Sequence, residues 1–70
     1  MRLRGVVARN LRRIRHERGL SQDELAHRAS VYRTYIGLLE REQHAPTVDT
    51  LEKLAEVLEV DPVEFFSPPR

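Results

Sequence analysis

Residues 22–41, QDELAHRASVYRTYIGLLER, are the stretch on which the fold turns. The segment divides around Ser30 into two short helical pieces, with Leu25 apolar in the first and Ile36 and Leu39 apolar in the second. Residues at i and i+3 share a helix face, so Ile36 and Leu39 point inward together, leaving Arg33, Thr34, Gly37 and Arg41 largely on other faces. Two helices that cross steeply over a turn of a few residues need small side chains where their backbones approach. Ala26 and Ser30 supply them, and Val31 is placed to drop back into the core. The pattern predicts two crossed helices, the second with a polar, arginine-bearing outer surface.

Upstream, a helix is expected from about Val6 to Arg18, with Val7, Leu11 and Ile14 (i, i+4, i+7) facing inward. Gly19 suits a left-handed cap, after which Leu20 packs back on the core. Ser21 and Glu24 have the spacing of a capping box at the start of the next helix, and Asp23 and Glu24 suit its positive end. That helix ends near Arg28 or Ala29. The second of the crossed helices runs from about Tyr32 to Arg41, and Ser30 is the nearest candidate for its N-cap. Downstream, a polar loop leads to Thr47, which caps a helix with a stripe of Val48, Leu51, Leu54, Ala55 and Leu58. Asp61-Pro62 opens a last short helix containing Val63, Phe65 and Phe66. Being adjacent, the two phenylalanines cannot point the same way: one is expected to cap the core, the other to be exposed as a partner surface. Residues 67–70 form a tail. Apolar residues recur at helical spacing and nowhere alternate, so the chain is all-α, a single domain over residues 1–70 without internal repeat or linker.

Seventy residues lie near the lower limit for a core that holds a fold without staples, and there is no cysteine for a disulfide or thiolate metal site. No apolar run approaches the ~20 residues needed to span a bilayer. The basic N-terminus lacks the apolar core of a signal peptide, so a cytoplasmic protein without a membrane partner is the expectation. Net charge is only +1, but it is unevenly spread. Residues 1–33 hold nine arginines against three acids, a net +6, and residues 34–70 hold three basic residues against eight acids, a net −5. A basic end that coincides with the crossed helices favours a side facing a polyanion. Arg2, Arg4, Arg9, Arg12 and Arg13 read mostly as the wet face of an amphipathic helix. Asp23 and His27 share a helix face, but two ligands do not make a zinc site, and His16 and His44 add no third, so no metal is expected. Neither a nucleophile–base pair nor a glycine-rich phosphate loop is evident, so no enzyme, cofactor or small-molecule ligand is expected.

The run LSQDELAHRASVYRTYIGLLER, followed by a loop and PTVDTLEKLAEVLEV, resembles the Cro/Xre-type helix-turn-helix family of bacterial and phage transcriptional regulators. The resemblance extends from Val6 to Phe66. The segment RTYIG-x-LER also resembles the controller proteins of restriction–modification systems. The resemblance implies a compact five-helix bundle with its third helix in the DNA major groove. It further implies that Gln22 contacts phosphate and braces that helix, and that base contacts concentrate at Tyr32, Arg33 and Thr34 and, a turn later, at Gly37 and Leu38. Arg41 and the loop after it, with Gln43, match a backbone-contacting segment. Arg15 and Glu40 match a structural ion pair. Glu42 stands where the family usually has a glycine ending the third helix, and Tyr32 replaces a frequent serine cap.

Within that frame, Arg33 is a candidate for bidentate contact with guanine O6 and N7, with phosphate contact as its alternative. Thr34 offers a methyl to thymine or a hydroxyl to phosphate. Tyr32 and Tyr35 either reach phosphate through their hydroxyls or lie half-buried. Regulators of this kind bind paired half-sites about one helical turn apart, which points to a twofold homodimer through the last two helices, with Leu58, Val60, Phe65 and Phe66 at the interface. The expected function is sequence-specific recognition of a palindromic operator in double-stranded DNA. The alternatives are the antitoxin of a toxin–antitoxin pair, a helical protein-interaction module, or a fragment of a longer regulator.

Overall fold

A computed structural model describes residues 2–68 of the chain. Among these residues there are four α-helices and one 3-10 helix, and no strand: α1 Leu3–Glu17, α2 Gln22–Ala29, α3 Arg33–Glu40, α4 Val48–Leu58 and the 3-10 helix Pro62–Phe66. The expected fifth helix is therefore a single 3-10 segment of five residues. Asp61 caps it by accepting from the Val63 amide, and Pro62 presets its first φ. The expected tail at 67–70 lies partly outside the described residues.

Leu11, Ile14, Leu25, Ile36, Leu39, Leu54, Leu58 and Phe65 are almost wholly withdrawn from solvent and form one core. Leu25 of α2 and Ile36 and Leu39 of α3 face it together, as the i, i+3 spacing required. α3 is wedged between α1 and α2, while α4 closes the core from the α2 side. The capping box at Ser21–Glu24 forms, with Ser21 N donating to Glu24 Oε1 at 2.9 Å and Glu24 N to Ser21 Oγ at 3.0 Å. The Ser21 amide and hydroxyl hold the Glu24 carboxyl below its ordinary pKa. Thr47 caps α4 through the Thr50 amide.

Three expectations change. Val48 is 75% exposed, because as the first residue of α4 it precedes the turn that meets the core, so the stripe starts at the half-buried Leu51. Ser30 does not cap α3: it sits in the left-handed region (φ 57°) and closes α2, its amide donating to His27 O and that of Val31 to Ala26 O. Tyr32 is the N-cap of α3, with no side-chain cap; its carbonyl accepts from the Tyr35 and Ile36 amides. Leu58 and Phe65 are fully buried within the protomer, which leaves Val60 and Phe66, of the four residues expected at an interface, for a second chain.

All four helices end through a left-handed residue, but only α1 uses glycine, Gly19 at φ 69°. Ser30, Glu42 and Glu59 occupy the same region with a side chain, each at roughly 1–2 kcal/mol of strain. α1 compensates from its polar face. Arg18 Nε donates to Leu58 O (2.7 Å) and its Nη2 to Glu59 O (3.2 Å), tying down the end of α4. Buried Asn10 donates to the carbonyls of Phe65 and Ser67 at the end of the 3-10 helix. Glu59→Gly should relieve the strain at φ 58° and raise stability by about 0.5–1 kcal/mol, after the extra backbone entropy that glycine loses on folding. Urea unfolding monitored by circular dichroism checks this, and an unchanged midpoint would show the strain to be already relaxed.

Candidate nucleic-acid interface

The outer face of α3 starts at its exposed N-terminal end. Tyr32 is 85% exposed, and Arg33 and Thr34 are exposed beside it. Leu38, one turn on from Thr34, is half-buried. Tyr35 is half-buried, its ring tilted against that of His44 with centroids 6.3 Å apart. Arg41 and Gln43 are exposed at the far end, and Gln22 is half-buried at the start of α2.

Gly37 departs from expectation. It is buried rather than displayed, and a methyl group built there would lie 3.1 Å from Arg41 Nη1. The guanidinium of Arg41, one turn later on the same face, folds back and covers the bare backbone. Anything that approaches Gly37 must first displace Arg41.

The inner side of α3 is anchored by one carboxylate. Glu40 is 3% exposed and accepts from Arg15 twice, Nε to Oε2 at 2.7 Å and Nη2 to Oε1 at 3.0 Å. Gln22 Nε2 also donates to Oε1 at 3.0 Å. The third Arg15 nitrogen, Nη1, donates to Leu20 O at 2.9 Å. Arg12 Nη2 donates to the Glu40 carbonyl at 2.8 Å, ending α3 much as Arg18 ends α4. Glu40 thus joins α1, α2 and α3, and the Gln22 side-chain amide is engaged inward. Burial alone would push the Glu40 carboxyl up; hydrogen bonds from Arg15 and Gln22, with the charges of Arg15 and Arg12, outweigh it and hold the group below its ordinary pKa.

Several of these features escape sequence reasoning. Arg12 reads as a wet-face arginine, yet its side chain ends α3, and Arg18, read only as the close of the first helix, ends α4. The i, i+3 spacing of Asn10 and Arg13 was the available signal for their contact, but the carbonyls Asn10 serves are 55 and 57 residues away. Asp23, expected only as a dipole acid, has Oδ1 3.3 Å from Arg33 Nε across the turn. Glu42 lies against the first turn of α1, where a methyl at Gly5 would come within 2.8 Å of its Oε1. α1 has no acid in its first turn, so Glu42 supplies the anion that its positive end favours.

The family model described as helix-turn-helix matches residues 11–65. The chain belongs to the Cro/Xre-type helix-turn-helix family. An HTH-type transcriptional regulator of Sinorhizobium fredii is 41% identical over 68 residues, covering 97% of this chain and 88% of the relative. The crystal structure of a hypothetical transcription factor from Neisseria superposes with a TM-score of 0.92 at 37% identity, covering 97% of this chain and 78% of the other. The restriction–modification controller protein C.Esp1396I, crystallised as a tetramer with its 35-base-pair operator, is 36% identical with a TM-score of 0.84, covering 94% of this chain and 87% of that one. The chain spans smaller shares of other relatives, 64% of a hypothetical transcription factor of Neisseria meningitidis and 36% of the Escherichia coli regulator SutR. Among the described residues no helix is long and apolar enough to cross a membrane.

Three outcomes follow from this geometry. Glu40→Ala strands the Arg15 guanidinium in the core and should lower stability by about 3–5 kcal/mol, measurable by urea unfolding. Because the folded-state pKa of Glu40 is depressed, its contribution is complete above the ordinary carboxyl value of about 4.3 and is lost as pH falls through the lower folded-state value. Acid titration of the variant should therefore show a shallower loss of stability below that pH than the unmodified protein. Gly37→Ala adds a helix-favouring methyl that meets only the flexible end of Arg41, so thermal unfolding should show a gain of up to about 1 kcal/mol. A destabilised variant would mean that the Arg41 cover is rigid.

Proposed function

We propose that this chain is a sequence-specific, DNA-binding transcriptional regulator of the cytoplasm, a homodimer on a palindromic operator with α3 in the major groove, and not an enzyme. The observation that carries this reading is the division of labour on α3. Ile36, Leu39 and Glu40 bind the helix to the rest of the fold, while Tyr32, Arg33 and Thr34 are exposed at its start, at the basic end of the chain. Arg33 and Thr34 read base edges, with Tyr32 beside them and Leu38 offering an apolar contact one turn on. Gln22, Tyr35, Arg41 and Gln43 flank them and hold phosphates, Gln22 through its backbone amide at the start of α2. Gly37 admits the DNA closely only once Arg41 has swung outward, a movement that phosphate contact would favour. Phe66, 42% exposed, and Val60 offer the apolar surface for the second protomer.

The reading is tested by selecting from random duplex DNA at two salt concentrations. A palindrome with half-sites about one helical turn apart should be enriched. Affinity should fall steeply with salt as phosphate contacts release counterions. Arg33→Ala should lose about 1–3 kcal/mol of discrimination at one position of each half-site, with the protein still folded. A basic surface that enriches no sequence at either salt concentration would sink the proposal.

A further inference from the structure

Asp23 is an acid on the face where a regulator of this kind would meet a polyanion, and it takes no part in the capping box that Ser21 and Glu24 complete beside it. Its Oδ1 lies 3.3 Å from Arg33 Nε, and the two side chains are 79% and 61% exposed. An ion pair this exposed contributes little to folding, so stability does not account for it. Its consequence lies in what it does to the arginine. Arg33 starts α3 with a long side chain, and no other ion pair involving it is found among the described residues.

We propose that Asp23 is a specificity-determining positioning residue that holds the Arg33 guanidinium from its Nε side and presents the terminal nitrogens to a guanine edge. This rests on the reading that α3 recognises bases. A guanidinium has five N–H donors in a fixed plane, and the pair at its end matches guanine O6 and N7. With the carboxylate at Nε, Arg33 can keep Asp23 and a neutral base edge together. A phosphate on the same guanidinium would bring a second anion close to the first, and like charges at that distance repel. Asp23 therefore lowers the affinity of Arg33 for backbone alone and leaves its affinity for guanine in place. The device discriminates by repulsion as well as by contact. Nothing in the Arg33 side chain itself provides this, because an unrestrained arginine binds phosphate and guanine alike.

Parallel selections from random duplex DNA with the unmodified protein, Arg33→Ala, Asp23→Asn and Asp23→Glu test this, with dissociation constants then measured on the selected duplex and on one of unrelated sequence. Arg33→Ala identifies the base position that depends on Arg33. Asp23→Asn should weaken preference at that same position, bind the unrelated duplex more tightly, and lower the specific-to-unrelated ratio about fivefold or more. Asp23→Glu should restore most of the ratio with thermal unfolding unchanged, while Asp23→Asn lowers the melting temperature only slightly, through loss of an acid at the positive end of α2. A ratio unmoved by Asp23→Asn overturns the role of Asp23, whether both affinities rise together or neither changes. If Arg33→Ala loses preference at no position, the role falls as well. If the unmodified protein itself enriches no sequence, the base-reading function fails and the role of Asp23 with it; a motif enriched equally by the unmodified protein and Asp23→Asn removes only the latter.

Discussion

The carboxylate of Glu40 is the constraint on which the arrangement of α1, α2 and α3 depends. An ionised group withdrawn from water is tolerable only if its lone pairs are met by donors of good geometry. Arg15 meets it in a bidentate fork from α1, Gln22 adds a third donor from the start of α2, and Glu40 itself stands at the end of α3. Hydrophobic contacts between these helices are non-directional and would tolerate some sliding. The fork would not, because each of its bonds loses strength steeply with misalignment. The outer face of α3 is thus held in register by an ion pair on its inner face.

α1 acts as a spine by the same means. Its apolar residues fill the core, and its polar ones reach the carboxyl ends of α3, α4 and the 3-10 helix. Arg12 serves the end of α3, Arg18 the end of α4, and Asn10 the end of the 3-10 helix. Helix ends leave carbonyls without partners, and three of the four here also turn through a left-handed residue that is not glycine. At the ends of α3 and α4, donors from α1 satisfy those carbonyls and make such turns tolerable. The basic character of residues 1–33 is therefore only partly available to an outside anion: several of its arginines are committed within the fold.

The α3 surface combines fixed and mobile parts. The backbone of α3 is anchored through Ile36, Leu39 and Glu40, while Arg33 and Arg41 lie over the surface in contacts that water and salt weaken. A rigid helix carrying exchangeable arginines suits recognition in which the side chains change partners and the scaffold does not.

The elements that depend on local chemistry were legible in the linear chain. The capping box at Ser21–Glu24, the left-handed Gly19, the Thr47 cap, the inward spacing of Leu11, Ile14, Ile36 and Leu39, and the opposed phenylalanines all follow from interactions within a few residues, which composition and spacing encode. The pairing of Arg15 with Glu40 came from family resemblance, since nothing at a separation of 25 residues identifies a partner. Misjudged positions failed for one physical reason, that their fate is set across the fold. Ser30 suits an N-cap by type, yet the crossing of α2 and α3 made it the closing residue of α2. Leu58 and Phe65 look like a partner surface until α1 and the 3-10 helix cover them. Gly37 looks bare until Arg41 folds over it. The sequence by itself determined the helices, their caps and their apolar faces, because those depend on neighbours a turn or so apart. Only the tertiary structure decided which arginines are spent on carbonyls, which apolar residues stay on the surface and which acid stands beside Arg33, because long side chains choose partners by proximity in space.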